Sequence, residues 1–174
     1  HVQNRILGDR GEEDSEFIMI RMEQDEGKKA VIGAFDGHAT TLGGGNLQFS
    51  GDYPGFWRKT LKEAGLDHAV FFAGSVGSHS VDGDGDSFEK MEAVGKALAD
   101  SVLKYYPRIP LQDTIGLASM TVELDLPKLQ VRLSEGLKLD PFLSKRLFPP
   151  IGKVHIQAMR LGDLIWATAP ADFS

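Results

Sequence analysis

The sequence predicts an α/β domain of the α+β kind, a mixed β-sheet with helices packed on it and including β-hairpins. Three observations carry this expectation. Two pairs of apolar segments, 16–23 with 29–35 and 153–160 with 163–169, are each joined by a short glycine-containing turn, the pattern of antiparallel hairpins. Residues 87–105 instead repeat apolar side chains at helical spacing. Strand and helix patterns then mix without strict alternation, which argues against a purely parallel sheet.

Each element has its own local reason. The polar turn Gln24-Asp25-Glu26-Gly27-Lys28 separates the first two strands, and the second strand leads directly to His38. Pro54 suits the first turn of a helix running from about Gly55 to Glu63, and Ala64-Gly65 ends it. Residues 69–73 form a short apolar run of the kind found in a buried strand. Residues 74–86 are so rich in glycine, serine and aspartate that a loop is predicted throughout. Ser87 is placed to cap the next helix, with Met91, Val94, Leu98, Val102 and Tyr105 along its apolar face and an end before Pro107. Beyond it, residues 116–125 and 129–133 read as strands, and Asp140-Pro141 opens a short helix through Phe148. The last hairpin turns at Leu161-Gly162, where Gly-Asp favours a tight reversal.

At 174 residues and 41% hydrophobic, the chain has enough apolar material for one core, and a single domain over residues 1–174 is the simplest reading. Its net charge of −6 and its scattered cations give no concentrated basic surface, so nucleic acid is not expected as a partner. No apolar run approaches the roughly 18–20 residues of a membrane-spanning helix, so no transmembrane segment is expected. The absence of cysteine excludes disulfides and thiolate metal sites. Because the chain starts at His1 without a methionine and stops just after an apolar strand pattern, it reads as an excerpt of a longer protein.

The residues that carry chemistry gather after the second strand. His38 sits where the apolar run 30–35 gives way to a glycine-rich loop; a strand end holds an imidazole in place, and glycines let backbone pass close to a metal or substrate. Asp52 follows closely enough to orient that imidazole or a substrate hydroxyl, or equally to cap the next helix. Ser78 and Ser80 flank His79, a serine–histidine couple on paper, although sequence neighbours rarely have the geometry for proton transfer. The alternating aspartates Asp82, Asp84 and Asp86 begin like a calcium loop, but the sixth position is Ser87 instead of glycine and the twelfth is Ala93 instead of glutamate. Trp57, Phe56, Phe71 and Phe72 read as core rather than as the walls of a lipid pocket.

The run Phe35 to Gly55, with His38-Ala39-Thr40-Thr41-Leu42 and Phe49-Ser50-Gly51-Asp52-Tyr53-Pro54-Gly55, resembles the neutral/alkaline non-lysosomal ceramidases. Asn4-Arg5, the block 70–77 and the closing block 165–174 continue the resemblance in the family's order. It implies a zinc-dependent amidohydrolase that cleaves the N-acyl linkage of ceramide or a related lipid amide to a fatty acid and an amine. His38 matches a zinc ligand of the family. Asp172 stands where the family has a carboxylate ligand, commonly a glutamate one methylene longer. The family's remaining histidine and tyrosine ligands would fall before His1 and after Ser174, leaving the Zn2+ ligand set incomplete and the 174 residues alone without turnover. Ser80 is the nearest counterpart of a serine assigned to nucleophilic attack or substrate contact, though the proline expected after it is missing. Arg5 resembles an arginine near the scissile amide, where its planar fork would steady a developing oxyanion. A substrate at a membrane surface and a secreted, periplasmic or cell-surface location are further implications. The alternatives are a non-catalytic ligand-binding domain on the same scaffold, or a hydrolase of a different amide or ester.

Overall fold

The structure, a computed structural model, describes residues 2–4, 6–7, 11–82, 87–126, 131–148 and 152–170. By its internal contacts the chain divides into two compact units, the first ending at Asp113 and the second beginning at Thr114.

In the first unit, β1 (Val2–Asn4), β2 (Phe17–Glu23), β3 (Lys29–Phe35), β4 (His68–Ala73) and β5 (His79–Val81) combine with α1 (Asp52–Glu63) and α2 (Phe88–Tyr105). The predicted hairpin forms with its expected register: β2 lies antiparallel to β3, from Phe17 opposite Phe35 to Glu23 opposite Lys29. Gly27 takes φ +80 in its turn, a left-handed value that glycine adopts without steric cost. Strand β4 then lies parallel to β3, so the three-stranded sheet is mixed, as expected.

Two predictions in this unit need correction. Strand β4 is not buried on both faces: Ala69 and Phe71 pack against the core, whereas Val70 and Phe72 are exposed. It is an edge strand of its three-stranded sheet, and the period-2 alternation of side chains puts Val70 and Phe72 on the face opposite Ala69 and Phe71. Phe72 accordingly leaves the predicted core set, while Trp57, Phe56 and Phe71 stay in it. Residues 74–86 are also not loop throughout, because β5 pairs antiparallel with β1, Val2 opposite Val81 and Asn4 opposite His79. That long-range ladder satisfies backbone groups that the local composition would have left to solvent.

Both helices start close to their predicted positions. Helix α1 begins three residues before the prediction, with Gly51 rather than Asp52 at the N-cap position, and α2 begins after Ser87, whose hydroxyl accepts the amide of Lys90 at 3.1 Å. Met91, Gly95, Ala99 and Val102 form the buried stripe of α2. One core cluster joins Val31, Trp57, Leu61, Leu66, Ala99, Val102 and Tyr106; a second joins Val2, Phe35, Tyr53, Val81 and Met91 beside the loop that carries His38. Tyr106 belongs to the short 3-10 turn Tyr106–Arg108, and its burial replaces that predicted for Tyr105, which is exposed.

The second unit contains β6 (Leu117–Asp125), β7 (Arg132–Ser134), β8 (Leu137–Lys138), α3 (Pro141–Leu147), β9 (Lys153–Leu161) and β10 (Leu164–Ala167). Strands β10, β9 and β6 form an antiparallel sheet, with the predicted hairpin turning through Gly162 at φ +60. Strands β7 and β8 pair as a small hairpin not anticipated from the sequence. Asp140 caps α3 by accepting the amides of Phe142 at 2.8 Å and Leu143 at 3.4 Å.

Candidate functional site

The site grows from the end of β3. Past Phe35 the chain runs through Asp36 and Gly37 to His38, which makes an isolated parallel bridge with Ser80. The His38 amide donates to the carbonyl of His79 at 3.2 Å. Thus two candidate residues meet through backbone pairing, with His38 on one side of β5 and β1 on the other.

The His38 ring is half-buried at this junction, and its Nδ1 is buried with no hydrogen-bond partner among the described residues. A buried acceptor or donor left unmade costs about 1–3 kcal/mol; Trp57 Nε1 in the core shares this state, so it is the chemistry of the imidazole at the strand end that makes His38 a candidate ligand. Its neighbour differs. His79 is buried, its Nδ1 lies 3.0 Å from the Ser75 carbonyl oxygen and 3.2 Å from the Ser78 hydroxyl, and its Nε2 accepts the Asp14 amide at 3.4 Å. Since a backbone N–H only donates, Nε2 is unprotonated in this arrangement and the ring proton sits on Nδ1. Both nitrogens of His79 are therefore spent on holding the chain. Successive side chains on β5 face opposite ways, so Ser80 and His79 do not form the serine–histidine couple that their adjacency invites.

Asp52 is buried and is pinned to the loop that follows His38. Its Oδ1 accepts the Thr41 hydroxyl at 2.6 Å and the Tyr53 amide at 2.7 Å, and its Oδ2 accepts the Leu42 amide at 3.2 Å. It also carries φ +50, a left-handed value that a non-glycine residue holds only when its surroundings over-determine it. Tyr53, which the sequence reading passed over, is completely buried, and its hydroxyl donates to the carbonyl of Gly37. Burial, and then the carboxylates of Asp52 and Asp36, push its phenol pKa well up, so it remains a hydrogen-bond donor across the physiological range.

Asp36 is another residue the sequence reading missed. Its Oδ1 accepts the Ser75 amide at 2.8 Å, and a Cβ on Gly74 would collide with that same oxygen. The apolar-to-glycine transition that drew attention to His38 also contained Asp36, but its partner lies in a segment distant in sequence. Asp36, Ser75, Ser78, His79 and Asp14 line an open cleft of about 1050 Å³. Arg5 and Asp172 lie outside the described residues, as do Asp84 and Asp86 of the aspartate-rich loop. Among the described residues no group of three or more histidine, aspartate or glutamate side chains converges as a metal site. No helix among them is long and apolar enough to cross a membrane.

No family model matches the chain, and no curated protein sequence matches it. Solved structures do. The crystal structure of neutral ceramidase from Pseudomonas aeruginosa superposes with a TM-score of 0.66 at 18% sequence identity, covering 98% of this chain and 38% of that one. The chain has a ceramidase-like fold. A ceramidase complexed with C2 gives a TM-score of 0.69 at 18% identity, covering 98% of this chain and 40% of that chain. The resemblance read from the Phe35 to Gly55 run is thereby borne out at the level of fold, and this chain spans about two-fifths of the length of those ceramidases.

Proposed function

We propose that this chain is part of a ceramidase-like, zinc-dependent amidohydrolase that cleaves the N-acyl linkage of ceramide or a related lipid amide to a fatty acid and an amine. The observation that carries the proposal is the unpartnered, buried Nδ1 of His38, held against Ser80 in a ceramidase-like fold. Zinc fits this residue because imidazole is among its preferred ligands and His38, unlike His79, has a ring nitrogen without a hydrogen-bond partner among the described residues. Bound zinc supplies Lewis acidity and lowers the pKa of water toward neutrality. His38 would hold the ion together with Asp172 and with residues of the longer protein.

The chain's own groups have separable tasks. Asp52 and Tyr53 fix the backbone on either side of His38. Ser80, whose backbone is bridged to that of His38, is assigned to substrate contact, and Arg5 to the developing oxyanion. The ceramidase likeness supports reading the substrate as a lipid amide presented at a membrane surface, and we propose with it a secreted, periplasmic or cell-surface location.

The test is hydrolysis of an N-acylsphingosine by the full-length protein. Turnover is expected to stop with a strong chelator, return on adding zinc, and fall at least about 100-fold in His38→Ala, as for loss of a group stabilising the transition state. Equal turnover by wild type and His38→Ala would remove the catalytic role; zinc retention without any hydrolysis would favour a ligand-binding domain on the same scaffold.

A further inference from the structure

The first turn of α1 grips the chain on both sides of His38. On the amino side, the Tyr53 hydroxyl donates to the carbonyl of Gly37; on the carboxyl side, Asp52 accepts the Thr41 hydroxyl and the Leu42 amide. From these bonds, and resting on the reading of His38 as a zinc ligand, we infer that Asp52 and Tyr53 are positioning residues that set the direction of the His38 imidazole through its backbone.

The clamp is itself rigidly held. The Tyr53 ring makes edge contacts with Phe35, the last residue of β3, at 6.3 Å between centroids and with Phe71 of β4 at 5.6 Å. Gly95 of α2 brings its backbone against Tyr53 so closely that a Cβ there would lie 2.8 Å from the Tyr53 carbonyl oxygen. The helix is thereby fixed to both the sheet and α2. Asp52 pays for its place with the left-handed φ of +50, and that strain is found where three acceptor contacts converge on one carboxylate. None of these groups reaches the imidazole directly through a described bond, so their action on it runs through residues 37–42. Groups that bond directly to a metal ligand typically alter metal affinity about 10–100-fold when removed, and a clamp acting through the ligand's backbone is expected at the lower end of that range.

Tyr106 provides a matched control, because its hydroxyl donates to the Met22 carbonyl at 2.9 Å at the opposite end of the β2–β3 hairpin. In the full-length protein, Tyr53→Phe is expected to raise the zinc dissociation constant, measured by chelator competition, roughly tenfold or more. It is expected to lower kcat with KM little changed, and to speed amide exchange at residues 38–42 beyond any effect of Tyr106→Phe. Asp52→Asn, which tolerates the left-handed backbone and keeps an acceptor, should retain more zinc affinity than Asp52→Ala. If Tyr53→Phe matches Tyr106→Phe in zinc affinity, kcat and local exchange, the positioning role is overturned even where both variants lose stability. His38→Ala in the same assay reports the ligand reading separately: zinc retained there refutes that reading, and amide exchange at residues 38–42 still decides the clamp.

Discussion

Tyr53 and Tyr106 are buried phenols whose hydroxyls donate to backbone carbonyls, of Gly37 and Met22 respectively. Burial raises both pKa values above the ordinary value near 10; Asp52 and Asp36 reinforce this at Tyr53, and Glu23 does so at Tyr106 against an opposing Arg21. A raised folded-state pKa means that the native protein holds these protons more tightly than the unfolded chain. The resulting stabilisation is complete below pH about 10 and is lost as pH rises beyond it. Urea unfolding as a function of pH should therefore show stability declining above that point, with a shallower decline in Tyr53→Phe and Tyr106→Phe; an unchanged slope in the double variant would contradict the assignment. Gly74 offers a second test at this scale. Gly74→Ala should displace the Asp36 carboxylate and free the Ser75 amide, seen as faster exchange of that amide. His38 was legible as a candidate because a glycine-rich loop after an apolar run is visible in one dimension, whereas Ser80 came from the family resemblance. Tyr53 was not, because its meaning depends on a carbonyl sixteen residues away in the chain that only the fold brings within reach.

At the scale of elements, the α1–α2 contact offers a case in which two effects oppose each other. Alanine favours a helix over glycine by about 0.8–1 kcal/mol, whereas forcing a methyl into a packed contact costs about 1–3 kcal/mol. At Gly95 the new Cβ would meet backbone atoms, the Tyr53 carbonyl oxygen at 2.8 Å and the Trp57 nitrogen at 3.0 Å, which cannot swing aside. Overpacking wins, and Gly95→Ala is expected to lower Tm; a rise in Tm would show that the helices separate freely. The Ser87 cap makes a simpler prediction: Ser87→Ala should cost about 1 kcal/mol in chemical denaturation through loss of the bond from the Lys90 amide. The two long hairpins and α2 were legible because their periodicity and punctuation are local. Strand β5 was hidden, since its partner β1 lies at the other end of the first unit and no local pattern in residues 74–86 announces the pairing. Likewise, the apolar run of β4 reads the same whether one face or both are covered.

For the molecule as a whole, the mixed α+β class follows from the sequence, and the ceramidase-like fold extends over nearly all of this chain while representing about two-fifths of the ceramidases that share it. The proposed zinc site would need ligands beyond those described: among the described residues His38 has a buried ring nitrogen without a hydrogen-bond partner, and no three ligating side chains converge. The most direct measurement is anomalous diffraction at the zinc edge from crystals of the full-length, zinc-loaded protein. A peak is expected about 2.0–2.1 Å from an imidazole nitrogen of His38, the usual zinc–histidine distance. A fully occupied zinc peak elsewhere, with the His38 ring turned away from it, would show that His38 is not a zinc ligand.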